Sequence, residues 1–394
     1  MSAVREPVRS VERQPAGPDA RPGAHGPKLA VFASQLGALF INHHVEDLYP
    51  GRTVAVVRFA EIPMGGFWDG GPVPILALDT FARSYRARLA RRFGRDPRAQ
   101  RDAAVARFLR LHGVGIVLGE FLDEFVEFVP LLDRLGIPYV AQSHGNDVSA
   151  ALRRPGVAES YLAFRSARAV LTRCDLHRRR LIELGLPAAK VHVNHGGVKL
   201  PEHFPHRPPA SGKRLLAISY MVPKKGSIFL LQAFRLAAAR DPALTLDYVG
   251  GGPLFPGVRQ FVDACGLRER VRLHGVAPQP IKHLLLAECG VFVQHSITDA
   301  TTGDEEGLPS SIQEAMAHGL AVIATKHAGI PEAVTHGVNG LLVDEGDVDA
   351  MAEAMLEIGP VATPMGAAGH RRAVAGHGWN SERRRLLGWL GDLE

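Results

Sequence analysis

Asp304-Glu-Glu-Gly-Leu-Pro-Ser-Ser-Ile-Gln-Glu-Ala-Met-Ala-His-Gly319 reads as a loop that turns into a helix. The apolar residues 290–293 before it fit a short strand, and Pro309 opens a helical pattern. Proline suits the first helical position, where no backbone N–H is needed, and Gly319 is a natural stop. Glu306 therefore precedes a helix, and Glu314 lies roughly one and a half turns inside it. The N–H groups at Leu308 to Ser311 form a helix start that favours an anion. A carboxylate before the helix, amides at its start and a carboxylate inside it suit a ligand that presents sugar, phosphate and ribose in sequence. On spacing alone, an ordinary capped helix with solvated acids is the favoured reading.

Outward from this stretch the chain alternates between apolar strands and helical patterns. On the C-terminal side, strands are expected at Leu215–Tyr220, Leu244–Val249, Val271–His274, Val291–Gln294 and Ala321–Thr325. Helices are expected at Ile228–Ala239, Ile281–Ala287, Ser310–His318 and Val348–Ile358. On the N-terminal side, strands are expected at Lys28–Ala33, Thr53–Phe59, Val114–Leu118, Pro138–Gln142, Ala169–Thr172 and Val191–Asn194. His206-Arg-Pro-Pro-Ala-Ser-Gly212 is turn-rich and reads as the linker between the halves. Such alternation predicts parallel sheets covered by helices. The expected architecture is α/β, with two Rossmann-like, doubly wound domains facing a central cleft. Residues 1–27, rich in Pro, Arg, Ala and Gly, read as a disordered tail.

Glu306-x7-Glu314, then Ala-Met-Ala-x-Gly and Gly329-Ile-Pro-Glu332, closely resembles the nucleotide-sugar site of the retaining GT-B glycosyltransferases, glycosyltransferase family four. More narrowly, it is similar to the colanic-acid and exopolysaccharide branch. The likeness runs from about Lys28 to the C-terminus and is strongest beyond Arg214. It implies a GT-B fold with an acceptor domain at 28–207, a donor domain at 213–377, and a helix at 378–394 that crosses back to the N-terminal domain. By the same likeness Glu314 holds the ribose hydroxyls and Glu306 faces the donor sugar. Gly307, Leu308, Pro309 and Ser310 line the diphosphate. Asp304 and Glu305 adjoin Glu306, which leaves the register of the first acid open by one residue.

In many relatives the segment matching Ser219-Tyr-Met-Val-Pro-Lys-Lys-Gly226 carries an arginine and a lysine that bind the diphosphate. Lys225 matches the lysine, but Tyr220 stands at the arginine position, and a hydroxyl supplies a hydrogen bond without charge. Ser143-His-Gly-Asn-Asp-Val148 resembles the His-Gly-x-Asp turn, whose histidine contacts the donor sugar. That role falls to His144, with Asp147 available to orient a ring nitrogen. His327 reads either as a lining of the donor pocket or as a loop histidine.

With 46% apolar and 22% charged residues, the 394-residue chain has the composition of a globular protein with room for two cores. The net charge of +6 favours acidic partners. No zinc-finger spacing or aromatic RNA-binding signature points to nucleic acid. Cys174, Cys265 and Cys289 are scattered and odd in number, which argues against disulfides and a cysteine metal site. His43-His44 with Asp47 is a weak metal motif, since adjacent side chains diverge. No metal or cofactor beyond the nucleotide-sugar donor is expected. Val249-Gly-Gly-Gly-Pro-Leu254 lacks the third glycine of a dinucleotide fingerprint, and no Gly-x-Ser-x-Gly elbow is present.

Residues 81–95 combine Phe81, Tyr85, Leu89 and Phe93 at helical spacing with six arginines. Such a helix either lies peripherally on an anionic membrane or packs as a solvated surface helix. The chain carries no apolar signal core, so a cytoplasmic location is expected, with the inner membrane face as the site of any such contact. The expected reaction moves a sugar from a nucleotide-diphosphate sugar to an acceptor hydroxyl, in polysaccharide or glycolipid assembly or in natural-product glycosylation. A nucleotide-sugar epimerase of the same fold and a non-catalytic scaffold subunit are the competing readings.

Overall fold

A computed structural model of the chain describes residues 28–34, 44, 47–59, 73–79, 96–203 and 212–391. The expected tail, the basic segment 81–95, His43 and residues 204–211 of the linker region lie outside these.

The described residues include thirteen strands, most of them formed by the apolar runs. The N-terminal sheet contains β1 (Lys28–Ala33), β2 (Thr53–Val57), β3 (Ile75–Ala77), β4 (Val114–Glu120), β5 (Tyr139–Gln142), β6 (Ala169–Thr172) and β7 (Val191–Val193). The C-terminal sheet contains β8 (Arg214–Ile218), β9 (Thr245–Val249), β10 (Val271–Gly275), β11 (Val291–Gln294), β12 (Ala321–Thr325) and β13 (Gly340–Val343). Their orders are β3-β2-β1-β4-β5-β6-β7 and β10-β9-β8-β11-β12-β13. The pairings are parallel throughout, with Val31 beside both Ala55 and Leu118. Strands buried on both faces must be apolar at every position, which is why they read as runs rather than as alternations. The doubly wound architecture expected from the sequence is the one observed.

Among the described residues, helices of eight or more residues are α1 (Pro97–Leu111), α2 (Asp175–Glu183), α3 (Ser227–Arg240), α4 (Phe255–Ala264), α5 (Gln279–Glu288), α6 (Ser310–Ala317), α7 (Val348–Glu357), α8 (Ala362–Arg372) and α9 (Trp379–Leu390). Pro309 is the N-cap of α6 rather than its first residue: its extended ψ of 122° keeps it outside the helix. Gly319, at φ +70°, ends the turn as expected.

Each sheet has a core on either face. In the N-terminal domain, Ala30 and Phe32 join one cluster, while Leu29 and Val31 join the other. The second cluster includes Trp379, Leu386 and Leu390 of α9, so the C-terminal helix covers a face of the N-terminal sheet. Each of these three side chains contributes roughly 1.5–3 kcal/mol by burial. Strand order reverses between β1 and β4 and between β8 and β11, and in doubly wound sheets ligands bind outside the carboxyl ends of the strands at such points. The loops after β4, β5, β8 and β11 build the site.

Candidate active site

The loop after β11 is held from both domains. Lys224 and Lys225 lie on a single turn, Pro223–Lys225, closed by Gly226 at φ +55°. A Cβ at Gly226 would fall 1.8 Å from the carbonyl oxygen of His295, so the turn can sit this close to the β11 loop only with glycine there. Lys224 Nζ donates to Asp304 Oδ1 (3.1 Å) and to the carbonyl of Glu305 (3.2 Å). Lys225 Nζ stands 3.0 Å from Glu306 Oε1. Among the described residues this oxygen accepts no well-aligned hydrogen bond, so Lys225 holds it as an ion pair.

Glu306 is buried. Burial pushes its carboxyl up, but Lys225 and then Lys224 outweigh that and hold it below the usual range. Its own N–H donates to His327 Nε2 at 3.0 Å, so that nitrogen carries no proton. His327 Nδ1 lies 2.6 Å from Glu345 Oε1 and donates to it. The buried His327 is thus a prop for Glu306 rather than a solvated loop residue.

Glu305 faces elsewhere. Arg180 on α2 donates to it at 2.9 Å, and His177 stands 3.7 Å away. Although burial opposes this, these two groups draw its carboxyl down to about 2. Asp304, Glu305 and Glu306 therefore meet Lys224, Arg180 and Lys225 respectively, three different cations.

The turn after β5 meets this loop. Gly145, at φ +121°, lies so close that a Cβ would sit 2.8 Å from the Glu305 carbonyl and 3.0 Å from the Gly307 nitrogen. Ser149 Oγ accepts the Glu305 N–H at 3.1 Å. Asp147 does not orient the His144 ring as expected. Its carboxylate reaches back and accepts the N–H groups of His144 (2.8 Å), Gly145 (2.9 Å) and Leu122 (2.9 Å). A short acidic side chain inside a turn competes for local amides, which explains the difference. Burial outweighs those bonds and raises Asp147 to about 6.

Glu120, at the end of β4, takes the ring instead. Its Oε2 lies 2.6 Å from His144 Nε2, and its Oε1 lies 2.6 Å from His44 Nδ1. Gln142 Nε2 also donates to Oε2 at 3.2 Å. His44, Glu120 and Gln142 are buried and His144 is 11% exposed, and two imidazoles share one carboxylate. Burial presses both histidines down, but Glu120 and, more distantly, Glu382 overcome it at His44 and raise it to about 9. At His144 burial wins, and the ring falls to about 4. His44 is the cation of the pair. His144 is neutral near pH 7, with its proton on Nε2 facing Glu120 and Nδ1 as acceptor.

Phe121, a non-glycine residue at φ 62°, places its ring 4.4 Å from that of His144. Strained backbone beside a cleft histidine is a mark of a built site. Behind it, Glu382 of α9 accepts from Arg173 (3.2 Å) and Asn194 (3.3 Å). Arg173 in turn packs its stem against Gly307, where a Cβ would come within 2.4 Å.

Glu314 is the fifth residue of α6, and Lys282 of α5 reaches both its oxygens, at 2.8 and 3.1 Å. Gly307, Leu308 and Pro309 are buried and Ser310 is exposed at the helix start. Tyr220 is 63% exposed, on the same loop as Lys225 but outside its ion pair. The structure thus brings Glu306, Gly307, Lys225 and the His144–Gly145 turn together, places Glu314 one helix further on, and leaves Tyr220 at the rim. Sequence reasoning missed Glu120, Lys282, Arg180 and Arg173, because each acts through a partner distant in the chain. Among the described residues, no group of three His, Cys, Asp or Glu side chains is placed to hold a metal ion. No helix among them is long and apolar enough to cross a membrane.

Residues 212–359 match the family model described as "Glycosyl transferases group 1". The chain is 33% identical over 190 residues to the amylovoran biosynthesis glycosyltransferase AmsK of Erwinia amylovora, covering 46% of this chain and 45% of that protein. It is 32% identical over 218 residues to a putative colanic acid biosynthesis glycosyltransferase, WcaL, of Salmonella typhimurium, covering 54% and 53%. The chain thus spans about half the length of the curated relatives it matches. In fold it is similar to Anabaena Alr3699/HepE, solved with UDP and glucose, at a TM-score of 0.71 and 19% identity, over 92% of this chain and 98% of that one. The fold is GT-B, and the likeness to the exopolysaccharide branch inferred from Glu306-x7-Glu314 holds.

Proposed function

We propose that this chain, with a C-terminal half similar to the group 1 glycosyl transferases, is a retaining glycosyltransferase. It moves a sugar from a nucleotide-diphosphate sugar to an acceptor hydroxyl. The observation that carries this reading is the convergence on one loop of a buried, ionised Glu306, the Lys225 ammonium 3.0 Å away and the His144 turn of the other domain. A departing diphosphate needs fixed positive potential, which Lys225, Lys224 and the start of α6 supply. A sugar with cationic character needs a nearby carboxylate, which is Glu306. Without donor, Lys225 rests on Glu306; with donor, it shifts to the diphosphate and bares the carboxylate to the sugar. Neutral His144 offers Nδ1 to a sugar hydroxyl, and Glu314 takes the ribose.

The names of the relatives favour an acceptor in polysaccharide assembly; a glycolipid at the cytoplasmic face of a membrane and a small natural product are the competing acceptors in this reading. The reaction needs no metal in this reading. Exposed Tyr220, in place of an arginine, is the one observation that favours a non-catalytic scaffold. Incubation with UDP-, GDP-, ADP- and dTDP-sugars, an alcohol acceptor and an NMR readout tests the proposal. The expected result is nucleotide release from one donor with the anomeric configuration kept. An inverted product would overturn retention. An epimer formed without acceptor would favour the epimerase reading, and no turnover of any donor would favour the scaffold.

A further inference from the structure

We infer that Lys282 is a positioning residue of the nucleotide site: from α5 it fixes the Glu314 carboxylate for the two ribose hydroxyls of the donor. This rests on the donor-site reading above. The ammonium contacts both carboxylate oxygens, at 2.8 and 3.1 Å, and approaches them from the α5 side. An ionised carboxylate has about four lone-pair directions, so a cation that takes one on each oxygen leaves one on each for a vicinal diol. Both side chains are largely enclosed, 13% exposed for Lys282 and 15% for Glu314. A flexible lysine free to reach water is held here instead. Lys282 lies in the first turn of α5, directly after the loop at Gly275–Ala277 that closes β10, and α5 packs beside α6 through the stacked rings of His283 and His318. The lysine therefore reaches Glu314 from a rigid neighbour rather than from a loop.

Charge balance requires a cation at this place. A carboxylate set beside a diphosphate repels it unless neutralised. With donor bound, Lys225 is taken up by the diphosphate, Lys224 is engaged with Asp304, and Tyr220 brings no charge, so neither lysine neutralises Glu314. Lys282 neutralises Glu314 where it stands, so the ribose can be bound by a carboxylate without penalty to the phosphates next to it.

The test compares UDP with 2′-deoxy-UDP, GDP with 2′-deoxy-GDP and ADP with 2′-deoxy-ADP by calorimetry, on the full chain and on Lys282→Met and Lys282→Gln. For the base that binds, the wild-type chain is expected to prefer the ribonucleotide by about tenfold. Both variants should bind that ribonucleotide about tenfold more weakly and prefer it over the deoxy form by less than about threefold, because the unfixed carboxylate no longer reads the diol. A merely structural ion pair would move stability and not this ratio. If both variants melt near the wild type and keep its full ribose preference, the inference is overturned while the donor site stands. If the wild type binds none of the ribonucleotides, there is no diol to be read and the inference falls; the donor-site reading falls with it only if dTDP fails to bind as well.

Discussion

Glu306→Gln is expected to lower kcat by about a thousandfold while leaving nucleoside diphosphate binding intact or tighter. The two signs have one cause. Glu306 is a buried carboxylate held ionised against its own desolvation by Lys225 and Lys224. The amide is isosteric, so the loop keeps its shape and its N–H still reaches His327. What disappears is the negative charge facing the sugar as it becomes cationic, and that charge acts only in the transition state. The ground state loses a repulsion: the diphosphate no longer shares its lysines with a carboxylate. Steady-state kinetics with the turned-over donor, together with calorimetry of the diphosphate, separates the two. A variant that loses binding and turnover equally would mean that Glu306 holds the loop rather than the sugar. Glu305→Gln is the control, since its partner is Arg180 on the other domain.

Glu120→Ala is expected to cost about 3–5 kcal/mol of stability, the usual penalty for stripping one partner from a buried charged pair. Glu120 is fully buried between His44 and His144, each 2.6 Å away, and Gln142 also bonds to it. The variant leaves His44 in the interior without the carboxylate that keeps it charged. Linkage gives a second signature. The folded pKa of His44, about 9, lies above its ordinary value, so its contribution is fully present below about pH 6.5 and is lost as pH rises through about 9. Glu120 is shifted below the ordinary carboxylate range, so its contribution is present above about pH 4.5 and is lost as pH falls. Denaturant unfolding at about pH 7 and about pH 9.5 should show the wild type losing on the order of 3 kcal/mol and the variant losing much less. Equal losses in the two proteins would place the titrating group elsewhere.

Most of the fold was legible because a parallel sheet buried on both faces demands uninterrupted apolar runs, such as Thr53–Val57 and Ala321–Thr325. Two edge strands escaped. Ile75–Ala77 is three residues long and partly exposed, so it makes no run, and Gly340–Val343 opens on a glycine that reads as a turn. Glu306, Glu314 and Lys225 were legible because they share short segments with recognisable neighbours. The residues that hold them were not. Glu120 meets His144 across 24 residues, Lys282 meets Glu314 across 32, and Glu382 meets Arg173 across 209. No local pattern carries pairings of that length. Asp147 shows the opposite error: proximity in sequence made it the natural partner for the His144 ring, whereas a turn directs such a side chain to the backbone.

The central claim is that Glu306, Lys225, the start of α6 and Glu314 form a nucleotide-sugar donor site. Calorimetric titration of UDP, GDP, ADP and dTDP into the full chain and into Glu314→Ala tests it most directly. The account predicts that one nucleotide binds selectively and that the variant binds it at least about tenfold more weakly, through loss of the ribose contacts. Binding of none of the four at millimolar concentration, or binding that Glu314→Ala leaves unchanged, would contradict it.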